Sequence, residues 1–427
     1  MRVLRSTGAR DASLTAMIEW SDTHLSIRDM VRKFVAAEIA PRVRDLEHGD
    51  TPPYEVLRKL FDAFGIRELG KHRAERAIAR AKKREEAIAR GEEVPPRAPE
   101  RPQGADEVAM QIIPIIELSR YCPGMVTALG VSVGLTANTI MSKGTSRQIE
   151  RWAGDLLTLE KIGAWAITEP GSGSDAFGSM RATARRSEDG KGYLLNGNKT
   201  FITNGPYADT IVFICKLADD PSKVLSFVLD KGMKGLTQSK ALKKMGLHSS
   251  PTGELFLEDV FVEKDRLLGE TEDVSYRSGA KDTFTAERTG VAAMALGIVE
   301  ECLLLSTEYA KTRVQFGKPI GEFQLVQLKL AKMEVARTNI QNLVFRMIEL
   351  AGAGKAMSLA EASACKLYCA GAAVEVALEA VQLFGGNGYM AEFRVEQLAR
   401  DAKVLQIYGG TDEIQVSQIA RNLLSVT

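Results

Sequence analysis

The stretch "YLLNGNKTFITNG", residues 193–205, combines β-branched and aromatic residues with glycine and asparagine, a composition typical of strands that end in turns. The same composition returns in short runs on both sides of it. These runs are "GAWAIT" (163–168), "TIVFICKL" (210–217), "VLSFVLD" (224–230) and "GELFLEDVFV" (253–262). The sequence therefore predicts a compact β domain in the middle of the chain.

Helical patterns flank this β domain. Apolar and charged positions recur at helical spacing over residues 23–70, with a break at Pro41, and again from about 106 to 160. Beyond about residue 282 long helical patterns continue to the C-terminus. The order helical, β, helical predicts a mainly α protein of three domains: an N-terminal helical domain (1–161), a middle β domain (162–270) and a C-terminal helical domain (271–427).

Residues 71–103, "KHRAERAIARAKKREEAIARGEEVPPRAPERPQ", differ from their surroundings. The first half is a highly charged helix former with little apolar face, and the second half is rich in proline. Such a segment is an exposed excursion or a mobile lid, and the composition fits both. We interpret it as an insertion in the N-terminal domain.

The composition excludes several classes of protein. Lysine and arginine number 56 against 55 acidic residues, so no overall field attracts nucleic acid or an anionic membrane. We expect no apolar run to reach the roughly 20 residues needed to span a membrane, and we expect no signal peptide. We therefore expect a cytoplasmic protein of bacterial type, although three arginines in the first ten residues would also suit a mitochondrial presequence.

The five cysteines lack the spacings of a zinc or redox motif. Two of them, Cys365 and Cys369, share a helix face but have no histidine nearby. We expect all five to be reduced packing residues, and we expect no metal site.

A glycine- and serine-rich loop follows the predicted strand 163–168. In "AITEPGSGSDAF", residues 166–177, backbone N–H groups and hydroxyl groups are available to a phosphate or to the polar edge of a ring. The loop has neither the Gly-Lys-Ser/Thr of a P-loop nor a dinucleotide-binding glycine pattern. By itself it is compatible with an ordinary turn as well as with a binding site.

Three further features suit a planar ligand that carries phosphate. Phe201 and Thr203 share one face of a strand and could clasp a heterocycle, or they belong to a half-buried strand. Arg313 precedes a glycine turn and suits a pyrophosphate, although a lone surface arginine is also common. Two glycine-rich breaks, in 381–390 and 407–415, suggest close approach of another group to the backbone.

Together these stretches resemble the acyl-CoA dehydrogenase flavoprotein family. The motifs that carry the resemblance are "TEPGSGSD", "ITNG", "R.QFGKPI..FQ", "GG.GY" and "RDAK...IY.GT.EI", and they extend from about residue 105 to the C-terminus, with a looser match over 20–70. The resemblance implies an N-terminal helical domain, a β-barrel-like middle domain and a C-terminal four-helix bundle.

The resemblance also implies that the chain binds FAD. One set of implied contacts surrounds the flavin and another set reaches the ADP part of a cofactor in a neighbouring subunit. The flavin set is Ala166, Thr168, Ser174, Phe201 and Thr203, with Thr411 and Glu413 near the second glycine break; the cross-subunit set is Arg313, Phe316, Gln324, Gln382 and Gly386. A shared cofactor implies a homo-oligomer, either a dimer or a tetramer.

The implied reaction is the α,β-dehydrogenation of an acyl-CoA thioester to the trans-2-enoyl-CoA. A carboxylate takes the α proton, the β hydrogen leaves as hydride to flavin N5, and an electron-transfer flavoprotein accepts the electrons. In many family members the base is a glutamate at the position of Gly409, whereas in the isovaleryl-CoA and long-chain branches it lies before an arginine on a C-terminal helix. Glu287 before Arg288 matches that second pattern.

We therefore predict Glu287 as the catalytic base, with Ser174, Arg288, Tyr408 and Gly409 at the substrate. An alternative is that Glu287 is a surface residue, and that the chain binds FAD and acyl-CoA without catalysis. A second alternative is an acyl-CoA oxidase or a flavin monooxygenase, which would react with oxygen.

Overall fold

The computed structural model describes residues 19–48, 51–94, 104–273 and 276–424, without the side chains of residues 276–286. Its elements follow the predicted order, with helices before and after a middle sheet. The arginine-rich N-terminal residues 1–18 lie outside the described part of the chain, as does the proline-rich stretch 95–103.

The helices before the sheet pack through apolar faces on the C-terminal helices and on one side of the sheet. Thr145 begins one of them with a capping box, in which Thr145 and Gln148 satisfy each other's backbone N–H groups. These helices are α1 (Asp22–Phe34), α2 (Val43–His48), α3 (Tyr54–Ala63), α4 (Ile66–Ala89), α5 (Ala105–Ser119), α6 (Pro123–Leu129), a π-helical segment (Gly130–Ala137), α7 (Asn138–Lys143) and α8 (Ser146–Leu157).

The interpretation of 71–103 as an exposed excursion is wrong for its first half. Helix α4 packs along α8, and Ala74, Ala77 and Ala81 are buried in the cluster that contains Trp152. The apolar face consists of alanines, whose small side chains permit close helix packing while charged residues cover the other faces.

The middle sheet has seven strands in the order β1-β4-β2-β3-β7-β6, and β5 also pairs with β4. Its inward-facing residues form a separate apolar core. No pairing among the described residues closes this sheet into a barrel. The strands are β1 (Gly163–Ala166), β2 (Thr183–Arg186), β3 (Gly192–Thr203), β4 (Thr210–Leu217), β5 (Val224–Asp230), β6 (Leu236–Gln238) and β7 (Thr252–Glu263).

The C-terminal region is built on three long helices, of which the first packs against the other two. A short hairpin separates the first two. The elements are α9 (Tyr276–Thr312), β8 (Val314–Gln315), β9 (Lys318–Pro319), α10 (Gln324–Gly352), α11 (Leu359–Phe384), α12 (Val395–Lys403) and α13 (Asp412–Leu424). The five cysteines are free and buried, as the packing interpretation predicts.

The expectation that no segment is long and apolar enough to cross a membrane is wrong. By length and composition, three helical stretches of the described residues meet that criterion: Pro123–Lys143, Glu287–Thr312 and Leu359–Tyr389. The last two contain parts of α9 and α11, which pack against each other and contribute to the largest apolar core. Burial in this core accounts for their apolar composition.

Asn204 ties the helices before the sheet to the sheet itself. Its amide nitrogen Nδ2 donates to the carbonyl oxygens of Ala128 and Gly163, both at 2.9 Å. The hydroxyl of Tyr54 donates to its Oδ1, also at 2.9 Å. These bonds fix the position of α6 relative to β1, and both elements border the candidate site.

Candidate active site

The predicted base and the predicted glycine lie side by side. Glu287 is on α9, and Gly409 is in the turn between α12 and α13. A Cβ atom placed on Gly409 would lie 3.4 Å from Cδ and 3.5 Å from Oε1 of Glu287. The carboxyl group of Glu287 therefore lies in van der Waals contact with the point where a side chain at position 409 would begin.

The turn that faces Glu287 needs glycine. Gly409 and Gly410 have φ angles of +65° and +90°, in the left-handed region that glycine adopts readily. Gln415 holds the turn, because its Nε2 donates to the carbonyl oxygens of Gly409 at 3.1 Å and Gly410 at 2.7 Å. A Cβ on Gly410 would lie 2.8 Å from that nitrogen, so a side chain there would displace it.

The surroundings of Glu287 act on the pKa of its carboxyl group in two opposite directions. Glu287 is half-buried. Burial raises its pKa, and the positive charges of Arg288 and Lys366 act in the opposite direction. Arg288 is itself buried, and its Nη1 donates to Ser363 Oγ at 2.9 Å. A carboxyl group in such surroundings is suited to accept a proton from a bound molecule.

Sequence reasoning missed the two residues of α11 that complete this environment, Ser363 and Lys366. Both are fully buried. Lys366 Nζ donates to Asp412 Oδ1 at 3.2 Å. The signal that could have identified Lys366 is a single charge within the apolar run "ASACKLYCAGAAV".

Tyr408 connects the turn to the helices before the sheet. Its hydroxyl lies 3.2 Å from Met294 Sδ, and burial raises its pKa. Thr127 of α6 lies next to the same hydroxyl. Further along, a Cβ on Gly130 or Gly134 would meet no atom within 4 Å. The π-helical segment, which directly follows α6, therefore has open space at both glycines.

The glycine-rich loop of the middle domain follows β1. Ala166 is buried, so only its backbone is available to a ligand, whereas Thr168 is half-buried and Ser174 is exposed. Glu169 fixes the base of the loop through a buried ion pair with Lys199 at 2.8 Å and bonds from the N–H groups of Arg181 and Ala182. Glu169 thus anchors the start of the loop, while Ser174 remains exposed to solvent.

Phe201 lies at an irregularity of β3. The register with β7 shifts between Lys199 and Ile202, and Phe201 has a φ angle of +56° with 68% of its surface exposed. The N–H of Thr200 donates to the carbonyl of Thr168 at 2.9 Å, so this bulge adjoins the loop after β1. Thr203 is half-buried. An exposed aromatic face, a hydroxyl group and loop amides therefore lie near one another where β1 and β3 end.

The residues predicted to contact a neighbouring subunit lie together elsewhere. Tyr309 near the end of α9 stacks on Phe384 with ring centroids 4.1 Å apart, which brings the end of α11 beside the hairpin β8–β9. From Glu287 to Thr312, 26 residues, α9 is about 39 Å long at 1.5 Å per residue. The exposed residues at this far end are Arg313, Phe316, Gln324, Gln382 and Gly386.

Thr411 and Glu413, the last predicted contacts, lie at the start of α13. Thr411 is half-buried and its Oγ1 accepts from the N–H of Ile414 at 3.4 Å. Glu413 is exposed, and hydrogen bonds lower the pKa of its carboxyl group. Both residues follow the turn beside Glu287. They therefore lie near the Glu287 site and not at the Arg313 end of α9.

Three family models match this chain. They are described as the acyl-CoA dehydrogenase N-terminal domain, over residues 21–69, the middle domain, over 164–260, and the C-terminal domain, over 278–424. Together the matches lie in the same order as the three regions of the fold.

Curated relatives match over most of the chain. An acyl-CoA dehydrogenase of Bacillus subtilis is 37% identical over 94% of this chain and 98% of its own length. A short-chain-specific acyl-CoA dehydrogenase of Megasphaera elsdenii is 40% identical over 73% of this chain and 80% of its own. The mitochondrial isovaleryl-CoA dehydrogenase of Arabidopsis thaliana is 32% identical over 98% and 94%.

Solved structures also match this chain over most of its length. Butyryl-CoA dehydrogenase from Megasphaera elsdenii superposes with a TM-score of 0.80 at 34% identity, covering 95% of this chain and 99% of the other. A chain from the study of the electron-transferring flavoprotein of Acidaminococcus fermentans gives 0.79 at 31%, covering 96% and 100%. Acyl-CoA dehydrogenase complexed with FAD from Bacillus anthracis gives 0.76 at 28%, covering 96% and 68%.

Proposed function

This chain belongs to the acyl-CoA dehydrogenase family, and we propose that it dehydrogenates an acyl-CoA thioester at the α and β carbons with Glu287 as the base that takes the α proton. The family assignment makes it an oxidoreductase that uses FAD. The observation that carries the proposal is the contact between Glu287 and the position of Gly409. This contact supports the proposal that a carboxyl group from α9 serves in place of a side chain at position 409.

The proposed role of Glu287 follows from its surroundings. Burial favours the neutral form of its carboxyl group, and the two cations near it favour the carboxylate. A carboxylate in that balance can take the α proton and then hold it away from bulk water. We further propose that Ser174, Arg288, Tyr408 and Gly409 form the surroundings of the thioester.

The described residues fit FAD. The exposed ring of Phe201, the hydroxyl of Thr203 and the loop after β1 offer a stacking face and hydrogen-bonding groups for a flavin. The exposed Arg313 offers a planar guanidinium for a pyrophosphate. When bound, FAD supplies the acceptor for the β hydrogen as hydride at flavin N5.

We also propose that the cofactor is shared between two copies of the chain. Arg313 and its neighbours lie about 39 Å along α9 from Glu287. A second copy that places its Arg313 end at the Glu287 site of the first would unite the two groups on one cofactor. A homodimer or a homotetramer satisfies this requirement.

Three finer assignments complete the proposal. The electron acceptor is an electron-transfer flavoprotein, supported by the structural similarity to a chain from a study of such a protein. The location is cytoplasmic, since two of the relatives are bacterial acyl-CoA dehydrogenases. The base belongs to the pattern of the isovaleryl-CoA and long-chain branches, because Gly409 stands at the usual position.

Anaerobic addition of acyl-CoA thioesters to the yellow holoenzyme tests the proposed function. A panel of short to long, linear and methyl-branched thioesters should bleach the flavin with at least one member, and the product should be the trans-2-enoyl-CoA. A flavin that stays oxidised with every thioester would indicate a non-catalytic binding protein. Rapid return of the colour in air would favour an oxidase or a monooxygenase.

Arg313→Ala tests the cofactor assignment separately. Charge-assisted hydrogen bonds are worth about 1.5–3 kcal/mol, so FAD should dissociate more readily on dilution. The matched variant Lys311→Ala, which removes an exposed cation two residues before Arg313, should retain FAD. Full flavin occupancy of Arg313→Ala after dilution would exclude the proposed contact.

A further inference from the structure

Lys366 is a buried lysine beside the candidate base. Its side chain is 0% exposed, and its Nζ donates to Asp412 Oδ1 at 3.2 Å. Burying an ammonium group is costly unless a carboxylate compensates it. Burial lowers the pKa of Lys366, while the hydrogen bond and the charge of Asp412 favour its charged form.

Asp412 in turn closes the glycine turn. It is the first residue of α13, directly after the segment Gly409–Thr411. Its second oxygen, Oδ2, accepts from Nε2 of Gln406 at 3.0 Å, on the other side of the turn. One carboxylate therefore joins both ends of the turn, and Lys366 fastens that carboxylate to α11.

The same lysine faces Glu287. The charged and titratable groups around Glu287 are Arg288 on its own helix, Lys366 on α11 and Tyr408 in the turn, with Asp412 bound to Lys366. Lys366 thus interacts with two carboxyl groups. One of them, Asp412, is its hydrogen-bond partner, and the other, Glu287, feels its charge.

We propose that the ion pair of Lys366 and Asp412 is a positioning pair for the proton-abstracting step: it holds the Gly409–Gly410 turn against Glu287 and sets the charge that Glu287 experiences. The inference rests on the proposed role of Glu287. It predicts that the two halves of the pair act on Glu287 in opposite directions. Lys366→Met leaves a negative charge behind, whereas Asp412→Asn leaves a positive one.

The test measures the rate of anaerobic flavin reduction as a function of pH, at saturating acyl-CoA. Because a protonated base cannot act, the rate falls at low pH, and the midpoint of that fall reports the protonation of Glu287. Lys366→Met should move the midpoint upward by about one pH unit, Asp412→Asn should move it downward by less, and the double variant should return it close to wild type.

A merely structural pair would behave differently. Loosening the turn would reduce the rate at every pH in both single variants without moving the midpoint, and the double variant would be no better. An unmoved midpoint in Lys366→Met, or an equal shift in the double variant, overturns the inference. Lys329→Met is the matched control: it breaks a partly exposed ion pair between Lys329 on α10 and Glu379 on α11, and it should leave the midpoint unchanged.

A second readout does not need turnover. An infrared band of a protonated carboxyl group that is present in the wild-type protein and missing in Glu287→Gln belongs to Glu287. In the oxidised enzyme, the pH midpoint of this band should move upward in Lys366→Met and downward in Asp412→Asn. If acyl-CoA still reduces the flavin of Glu287→Gln rapidly, the proposed function of Glu287 as the base is wrong. If Glu287→Gln is inactive but neither midpoint moves in Lys366→Met, only the positioning role fails. The neutral double variant tests the inference even where one single variant folds poorly, since buried ion pairs often tolerate joint removal.

Discussion

Desolvation raises the pKa of two carboxyl groups in this protein, those of Glu287 and Glu47, but the two groups have different surroundings. Glu287 is half-buried, faces two cations and lies against a glycine turn. Glu47 is fully buried, and burial together with the charge of Asp401 raises its pKa to about 8. The difference shows that a raised pKa reports burial, whereas access and neighbouring charge decide whether a carboxyl group can exchange a proton with a ligand.

The Glu47 environment is a joint between three regions of the chain. Glu47 is in the last turn of α2, Asp401 is on α12, and His248 lies in the loop before β7. Asp401 accepts from the N–H of Leu247 at 2.5 Å. The ring nitrogens of His248 face two backbone carbonyls, those of Glu47 at 2.5 Å and Lys244 at 2.8 Å. These contacts join α2, α12 and the loop before β7.

The largest expected effect separates the two environments by rate. Glu287→Gln keeps the shape of the side chain but cannot accept a proton, so anaerobic flavin reduction should slow by about 100- to 10,000-fold with FAD retained. Glu47→Gln is the matched variant and should change that rate less than twofold. Stopped-flow absorbance of the flavin measures both, and equal losses in the two variants would remove the distinction between the environments.

The second largest effect is on stability, where Glu47 and not Glu287 should cause a pH dependence of the free energy of unfolding. The folded-state pKa of Glu47 lies above the ordinary value of 4.5, so the folded protein binds this proton more tightly than the unfolded chain does. Its stabilising contribution is complete below about pH 4.5 and is lost as pH rises through about 8. The free energy of unfolding should therefore fall between pH 5 and pH 8, by on the order of 4 kcal/mol from this group.

Glu47→Gln should flatten that fall, because the amide does not ionise. Urea unfolding at pH 5, 6.5 and 8 measures the slope, and the exposed Glu188→Gln serves as control. A variant that keeps the slope of the wild-type protein would assign the proton to Asp401, whose pKa burial also raises.

A smaller effect tests whether the glycine turn and Glu287 share one space. In Glu287→Gly with Gly409→Glu, a carboxylate would enter the same space from the other side, and the reduction rate should exceed that of Glu287→Gly by about tenfold. Full recovery is not expected, since a non-glycine residue at a φ angle of +65° costs roughly 1–2 kcal/mol. A double variant no faster than Glu287→Gly would mean that position 409 does not face the reacting carbon.

The sequence predicted one environment and not the other for physical reasons. Glu287 and Gly409 stand in motifs that resemble a known family, and that resemblance supplied the pairing across more than a hundred residues. The family match and the order of helical, β and helical regions are confirmed, while the roles of the site residues stay predictions. Glu47 stands in an ordinary amphipathic pattern, and nothing local indicates that Asp401 will lie against it.

Small and buried features were the hardest to predict. The face of α4 that packs on α8 consists of Ala74, Ala77 and Ala81, which a pattern dominated by charge conceals. Lys366 is a single charge in an apolar helix, and its partner lies 46 residues further on. Both features depend on which elements meet, which tertiary packing decides and local sequence does not.

The smallest expected effect concerns the hydroxyl that orients Arg288. Ser363 Oγ accepts from Arg288 Nη1 at 2.9 Å and donates to the carbonyl of Leu359 at 2.6 Å, so Ser363→Ala removes one anchor of the guanidinium without changing any charge. A hydrogen bond to a charged group is worth about 1.5–3 kcal/mol, but Arg288 remains buried and can adjust, so flavin reduction should slow only a few-fold.

Ser249→Ala is the matched change in the Glu47 environment. Ser249 is buried beside Glu47 and lowers the pKa of Glu47, so its loss should affect stability and leave the reduction rate unchanged. If Ser249→Ala slows reduction as much as Ser363→Ala does, the two environments are coupled through α9 and α12, and the proposed contrast between Glu287 as the base and Glu47 as a structural carboxyl group is wrong.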